Sequence, residues 1–393
     1  MTGVAALTTD THVALASARR ALAEEHGRIL EMQVAIARIP SPTFGETRRG
    51  DWIGDQLARA GWQVRTDAAG NVIAGTASSR PAIAVCAHLD TVYADGAAPE
   101  PVRRGARIEG PGICDNGRGL AALVALARAI PAELRSAAGG IELVATTGEE
   151  GVGDLRGAKH YVASRAPAAL IALDGAGDDR VVNTALGSRR FRIAFAGPGG
   201  HSWAAYGVAN PVHAAARCAS ALANLSRKPG TSLTVSRIGG GVSVNAIPDD
   251  AWLEVDVRGF SESALSALES EVRRATLRAL REENERRTGG DALRHVIERI
   301  GLRACGHTPE RAALVQVAMA ATELVGRAPA LASASTDANA AIAEGIPAIA
   351  IGGGGRGGDV HSSAEWFDAT DAGIGLERAL TIVATVARIG APA

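Results

Sequence analysis

The sequence predicts an α/β protein built on a mixed, mostly parallel sheet flanked by helices, with a second, α+β domain inserted into it. Three observations predict this. Short apolar runs alternate with helical patterns in the first half of the chain, as the buried strands of a parallel sheet do. From Gly187 the order becomes strand, helix, strand, strand, helix, strand, which is that of a split βαβ (ferredoxin-like) sandwich. The first pattern then returns, so residues 1–186 and 304–393 are expected to form one domain and residues 187–303 the insert.

Each element has its own signal. Apolar residues recur at helical spacing from Thr11 to Arg38, and Pro40-Ser41-Pro42 stops the helix because proline restricts its predecessor. A second helix is expected over roughly Gly45–Ala60. The run Pro81–Ala87 reads as a buried strand whose end delivers His88. A helix over Gly117–Ile130 and strands over Ile141–Thr147 and Ala168–Leu173 follow. In the insert, Ser188–Ala196, Ser232–Ile238, Ala251–Arg258 and Leu293–Arg303 read as strands, and Pro211–Leu225 and Ser261–Arg287 as helices. A helix over Pro309–Val325, a strand over Ile346–Ile351 and a helix over Asp371–Arg388 complete the outer domain.

Composition narrows the function. A chain of 393 residues exceeds what one core fills. With 41 basic and 42 acidic side chains, it is not built around a nucleic-acid backbone or an anionic membrane, and a small molecule or peptide fits better. Met1–Asp10 has neither the basic start nor the apolar stretch of a signal peptide, and no later run reaches membrane-spanning length, so a cytoplasmic protein is expected. Cys86, Cys114, Cys218 and Cys305 lack paired spacing, which favours reduced thiols over disulfides or a thiolate metal site.

Ligands of open α/β sheets gather at the carboxyl ends of strands, where His88, Glu149, Glu150 and Asp174 fall. Asp90 lies on the same side of the strand as His88 and can orient the imidazole. Gly110-Pro-Gly-Ile-Cys-Asp-Asn-Gly117 places Asp115 at a helix start, where it could cap the helix or bridge two cations. Glu149 and Glu150 follow an apolar strand, where charge is costly unless compensated, and adjacent carboxylates can divide two tasks, metal ligand and general base. With Asp174 and His361 the set becomes two histidines and three carboxylates, a shell for two zinc-like ions.

These segments resemble the metallopeptidase family that includes peptidase T, carboxypeptidase G, aminoacylase and the acetylornithine and succinyl-diaminopimelate deacylases, in order and spacing over nearly the whole chain. The resemblance implies a zinc-exopeptidase-like catalytic domain and an inserted dimerisation (lid) domain. It implies that His88, Asp115 and Asp174 hold one metal, that Asp115, Glu150 and His361 hold the other, that Glu149 is the base, and that a cis peptide follows Asp115. Zinc is the first expected metal, manganese or cobalt the alternatives, with occupancy of a single site as the alternative to a filled pair. Gly197-Pro-Gly-Gly-His-Ser202 resembles the lid motif whose histidine, here His201, reaches the partner subunit's active site in a homodimer. Asn245 and Arg258 match family positions that contact substrate oxygens, and a planar guanidinium suits a carboxylate. Thr336 and Gly353 match loops that close the substrate pocket, although Thr336 with Asp337 also reads as a helix cap. Cys114, Asn116 and Arg118 depart from what relatives often carry beside the bridging aspartate.

The reading that follows is a metal-dependent hydrolase of C–N bonds, aminopeptidase-like because Asp174 is an aspartate. The alternative substrate is an N-acyl amino acid or another small amide or amine, including an aromatic amine. A catalytically silent dimeric binding protein on the same scaffold is the non-enzyme reading, against which the retention of Glu149 and all five ligands argues.

Overall fold

In a computed structural model of the chain, residues 2–75, 80–93, 100–135, 140–226 and 228–389 are described. They form two compact units, Met1–Ala185 with His307–Ala393, and Leu186–Gly306.

The larger unit is organised by four parallel strands, in the spatial order Ile141–Thr146, Ile83–His88, Leu170–Leu173 and Ala348–Ile351. Every residue of the four is buried, which explains why they read as continuous apolar runs without alternation. Antiparallel strands extend one edge through Val72–Ala74 and Val64–Thr66, and Arg180–Ala185 with its parallel neighbour Ala330–Ala334 extends the other. The register aligns His88 with Thr146 and Leu173 with Ile351, so these strands end together along one edge. Helices Gly117–Ala129, Ala313–Leu324 and Ala372–Ile389 pack apolar faces on one side of the sheet, while Arg156–Arg165 and Ala338–Ala343 pack on the other.

The helix expected from Thr11 to Arg38 is three segments, Thr2–Ala14, Ala16–Glu24 and His26–Ala37. Leu15 and Glu25, at the two breaks, bond on both sides, their N–H groups to the carbonyls of Thr11 and Ala21 and their carbonyls to the N–H groups of Arg19 and Ile29, which is why the helical period survives them. A further sheet, not expected, joins Val102–Arg104, Arg107–Glu109, Trp366–Asp368 and Arg356–Gly358.

In the smaller unit the strands Gly187–Ala196, Thr231–Gly240, Asp250–Gly259 and Arg294–Arg303 make one antiparallel sheet. Gly187–Ala196 and Asp250–Gly259 occupy its centre. Phe191, Ile193, Phe195, Leu253, Val255 and Val257 alternate onto the face covered by helices Pro211–Ala223 and Glu262–Arg286. Arg192, Trp252 and Arg237 lie on the opposite face, the two guanidinium groups stacked on the indole at 4.0 and 5.3 Å.

Within the larger unit, the points where the chain leaves and returns are joined directly. The Thr308 N–H donates to the Asn183 carbonyl (2.8 Å), and the Asn183 side-chain amide donates to the Thr308 carbonyl (2.9 Å).

Candidate metal centre

Ends of the parallel strands supply His88, Glu149, Glu150 and Asp174, and two turns, one before the helix Gly117–Ala129 and one between Arg356–Gly358 and Trp366–Asp368, bring Asp115 and His361 to them. Ligand-type atoms converge in overlapping groups: His88 with Asp115 and Asp174, Asp115 with Glu150 and His361, and His88 with Glu149 and Glu150. Asp115 stands between the two histidines. Its Oδ1 is 3.0 Å from His88 Nε2, and its Oδ2 is 3.0 Å from His361 Nε2, which also lies 2.8 Å from Glu150 Oε1.

Backbone hydrogen bonds hold this cluster in place. Leu89 N–H donates to the Thr146 carbonyl at 2.7 Å, fixing the end of the His88 strand against the strand that leads to Glu149. His88 Nδ1 lies 3.0 Å from the Asp90 carbonyl oxygen, so an Nδ1–H donates there and Nε2 is the nitrogen that faces Asp115. The Asp90 carboxylate is 3.6 Å from that nitrogen, too far for a hydrogen bond. It accepts instead from the backbone N–H groups of Glu149 (2.9 Å) and Glu150 (3.0 Å) and from the Thr43 hydroxyl (2.8 Å). The expected orienting of His88 thus passes through the carbonyl of Asp90, and its carboxylate orients the two glutamates.

The Asp115 loop is tied on both sides. Glu365 accepts from the N–H groups of Gly112, Cys114 and Asp115 at 2.8–2.9 Å. Tyr93 donates its hydroxyl to the Ser362 carbonyl (2.7 Å) and to Glu365 (3.2 Å). The Asp115–Asn116 peptide is cis. Asn116, at the start of the helix Gly117–Ala129, donates to the Leu173 carbonyl (2.9 Å) and accepts from Gly119 and Gly175, which brings the Asp174 turn alongside. A Cβ at Gly119 would lie 2.1 Å from Asn116 Oδ1 and 2.4 Å from the Leu173 carbonyl oxygen, so only glycine lets the helix start so close. Arg118 is wholly buried and serves as scaffold, donating to the carbonyls of Gly353 (2.8 Å) and Ala372 (2.9 Å). Burial, then the charges of Glu365 and Asp115, push the Cys114 thiol up to about 12, which keeps it a neutral core group.

The electrostatics are those of an acidic cluster in need of cations. Burial, then the charge of Asp115, holds the Asp174 carboxyl well above the usual carboxylate range. Burial and the neighbouring charges of Glu149 and Asp115 also raise Glu150, against the lowering contact with His361. Hydrogen bonds to Asp115 and Glu150 raise His361 to about 10. Burial opposes the charged form of His88, yet the carboxylates of Asp115 and Asp90 outweigh it and hold that imidazole well above its ordinary value. Asp115 Oδ1 is buried and, although 3.0 Å from His88 Nε2, forms no hydrogen bond. Two donors sharing a tetrahedral ion at ~2.0–2.1 Å would sit roughly 3.3 Å apart. The nitrogen–oxygen spacings at Asp115 approach that figure, and the donors are the imidazole nitrogens and carboxylate oxygens that zinc-like ions take. The residues present therefore fit a pair of divalent metals.

The remaining expected site residues are placed as follows. Thr336 is buried, and its hydroxyl accepts from the Ala338 N–H (3.2 Å) at the start of the short helix Ala338–Ala343. Gly353 donates its N–H to the Gly175 carbonyl (2.9 Å) and accepts from Arg118, so both its backbone groups serve the scaffold. His201, Asn245 and Arg258 belong to the smaller unit. His201 Nδ1 accepts from the N–H of Trp203 (3.1 Å), which puts the ring proton on Nε2. Asn245 Oδ1 accepts from the Ser243 hydroxyl (2.6 Å), so its N–H groups remain to donate. Arg258 Nε donates to Asp256 at 2.7 Å.

Two further buried carboxylates border the cluster, Glu365, which has no signal in the sequence, and Asp337, which reads there only as part of a helix cap. Glu365 is flanked by nothing that marks it, and its partners are backbone amides. Asp337 accepts from the Thr146 hydroxyl at 2.5 Å, and burial, then the charge of Glu149, raises it to about 6.

The chain is similar to several known proteins. The succinyl-diaminopimelate desuccinylase of Nitrosospira multiformis is 26% identical over 265 residues, covering 61% of this chain and 70% of that protein. The N-acetylcysteine deacetylase of Bacillus subtilis is 33% identical over 90 residues, covering 22% of this chain and 24% of its own length. Among solved structures, a tripeptidase from Staphylococcus aureus superposes with a TM-score of 0.72 at 19% identity, over 92% of this chain and 99% of that one. The dipeptidase Dug1p of Saccharomyces cerevisiae superposes at 0.74 and 15% identity, over 96% and 99%. Residues 84–385 match the family model of peptidase family M20/M25/M40, so the chain belongs to that family and is a metal-dependent hydrolase of peptide or amide bonds.

Proposed function

We propose that this hydrolase is a dinuclear exopeptidase of the aminopeptidase kind acting on small peptides. One observation carries the reading: the two oxygens of Asp115 each approach a different histidine, so one carboxylate serves two adjacent ligand groups. His88, Asp115 and Asp174 would hold one divalent ion, and Asp115, Glu150 and His361 the other, zinc first and manganese or cobalt next. When bound, such ions polarise the scissile carbonyl and make a water acidic enough to attack at neutral pH. Glu149 takes the proton of the attacking water on its carboxylate and returns it to the leaving nitrogen. Asp90 holds Glu149 and Glu150 by their backbones, so base and ligand keep a fixed separation.

The smaller unit supplies the rest. His201 pairs with Ala246 just before the strand Asp250–Gly259, whereas Arg258 lies at that strand's far end. Eight residues of strand at ~3.4 Å each place the two ends roughly 27 Å apart. One small substrate cannot touch both in the same chain. A homodimer meets this, with Arg258 serving the substrate's carboxylate in one copy and His201, through Nε2–H, stabilising the oxyanion in the other. Four free cysteines, three of them buried, suit the cytoplasm.

Relatives named desuccinylase and deacetylase favour a second reading, removal of an acyl group from an N-acyl amino acid by the same residues. The metal-loaded protein should be assayed against dipeptides, tripeptides, N-acyl amino acids and aryl amines. Preference for free-amino peptides supports the aminopeptidase reading, and preference for N-acyl substrates replaces it.

A further inference from the structure

We propose that Trp203 and Tyr206 are specificity-determining residues that select substrates with an apolar, above all aromatic, side chain on the residue that contributes the scissile carbonyl. The inference rests on the reading that His201 donates to that carbonyl's oxyanion in a second copy.

Its first support is the rigidity of one turn. His201 pairs with Ala246, and Ser202 N–H donates to the Asn245 carbonyl at 3.0 Å. Ala205 N–H donates to the His201 carbonyl (2.9 Å) and Tyr206 N–H to that of Trp203 (3.2 Å). The N–H groups of Trp203 and Ala204 face His201 Nδ1 at 3.1 and 3.4 Å. The imidazole and the backbone that carries both aromatic rings are therefore one piece. Wherever His201 Nε2 is delivered, the two rings are delivered with it.

The second support is exposure. Of the five tryptophans and three tyrosines, Trp203 and Tyr206 are the only exposed members, at 87% and 88%. Such rings bury roughly 150–250 Å² each when covered, and two left bare within four residues mark a surface made to be covered. Val242 and Val244, on the loop that leads to Asn245, are as bare.

Charge gives the third. His201 apart, neither His201–Val208 nor Gly239–Ile247 contains an acidic or basic residue. Neither segment offers a carboxylate, ammonium or guanidinium group to a charged substrate side chain. An apolar one finds aromatic faces beside two donors, His201 Nε2–H and the Asn245 amide, both suited to carbonyl or carboxylate oxygen.

The test compares Phe-Gly and Leu-Gly with Gly-Gly and Glu-Gly, using wild type and the Trp203→Ala, Tyr206→Ala and doubly substituted proteins. The kcat/KM ratio of Phe-Gly to Gly-Gly should be at least ~10 in wild type and should fall toward ~1 in the double variant. Calorimetric binding of the same peptides to the Glu149→Gln protein, with and without the ring substitutions, should give the same ordering. A ratio that survives both substitutions overturns the proposal, and so does absence of any preference in binding. Conversion of the variants to monomers by light scattering also overturns it, since the rings would then lie in the subunit contact. If wild type cleaves none of the peptides but cleaves N-acyl amino acids, the aminopeptidase reading fails, and the ring substitutions are read on the acyl series instead.

Discussion

Asp90 Oδ1 accepts the backbone N–H of Glu149 at 2.9 Å, and its other oxygen takes that of Glu150 at 3.0 Å. One buried carboxylate thereby fixes the proposed base and the proposed ligand beside it. Asp90→Asn keeps the size but offers one accepting oxygen in place of two. Because hydrogen bonds to a charged group contribute ~1.5–3 kcal/mol each, the variant should lose about 1–3 kcal/mol of stability in urea titration and ~10–100-fold in kcat. Wild-type turnover in this variant would show that the glutamate pair holds itself.

Glu149→Gln removes the proton acceptor and keeps the shape. Elemental analysis should find normal metal content, and kcat should fall at least ~100-fold, within the reach of general-base catalysis. Near-normal turnover would reassign the base.

Asp115 and His361 separate a shared ligand from a private one. Asp115→Ala should lower bound metal at both sites, and His361→Ala should empty mainly one, as counted by plasma mass spectrometry after dialysis. Unchanged stoichiometry in Asp115→Ala would reduce that residue to its loop-building role.

Glu365 reaches the metal cluster through backbone N–H groups, that of Asp115 among them, and should still control it. Its carboxylate gathers three N–H groups of the Asp115 loop, and Glu365→Gln sets an amide donor against them. Metal affinity should weaken ~10–100-fold, as for other outer partners of metal ligands, while Tyr93→Phe, which removes one of its outer contacts, should cost far less. Equal affinities in competition with a chelator would place the loop's rigidity elsewhere.

The proposed exchange between copies predicts complementation. Excess Glu149→Gln protein mixed with His201→Ala protein should regain activity after subunit exchange, because each mixed dimer assembles one site with both groups. Heterodimers that form without recovering activity would confine His201 to its own chain.

What the sequence revealed and what it hid follow a physical line. The four parallel strands were legible because burial on both faces leaves a continuous apolar run, and His88 and Glu150 were legible because charge at the end of such a run demands a reason. The small sheet of Val102–Arg104, Arg107–Glu109, Arg356–Gly358 and Trp366–Asp368 was not, since three-residue strands that are largely solvent-accessible and paired across some 250 positions carry no period. Glu365 was hidden because backbone amides recruit it, and amides look alike at every position. Asp90 was visible as a residue of the site, but alternation alone could not show that its carboxylate turns to the next strand's loop.

The clasp between Asn183 and Thr308 closes the larger unit at the two points where the chain departs and comes back. A short linker there would leave the parallel sheet and all six clustered side chains on one uninterrupted body. The insert is thus a cassette carried by a body that is already closed: the six clustered side chains stay with the part of the chain that the clasp seals, and the insert adds to them only its own recognition surface and the proposed contribution of His201.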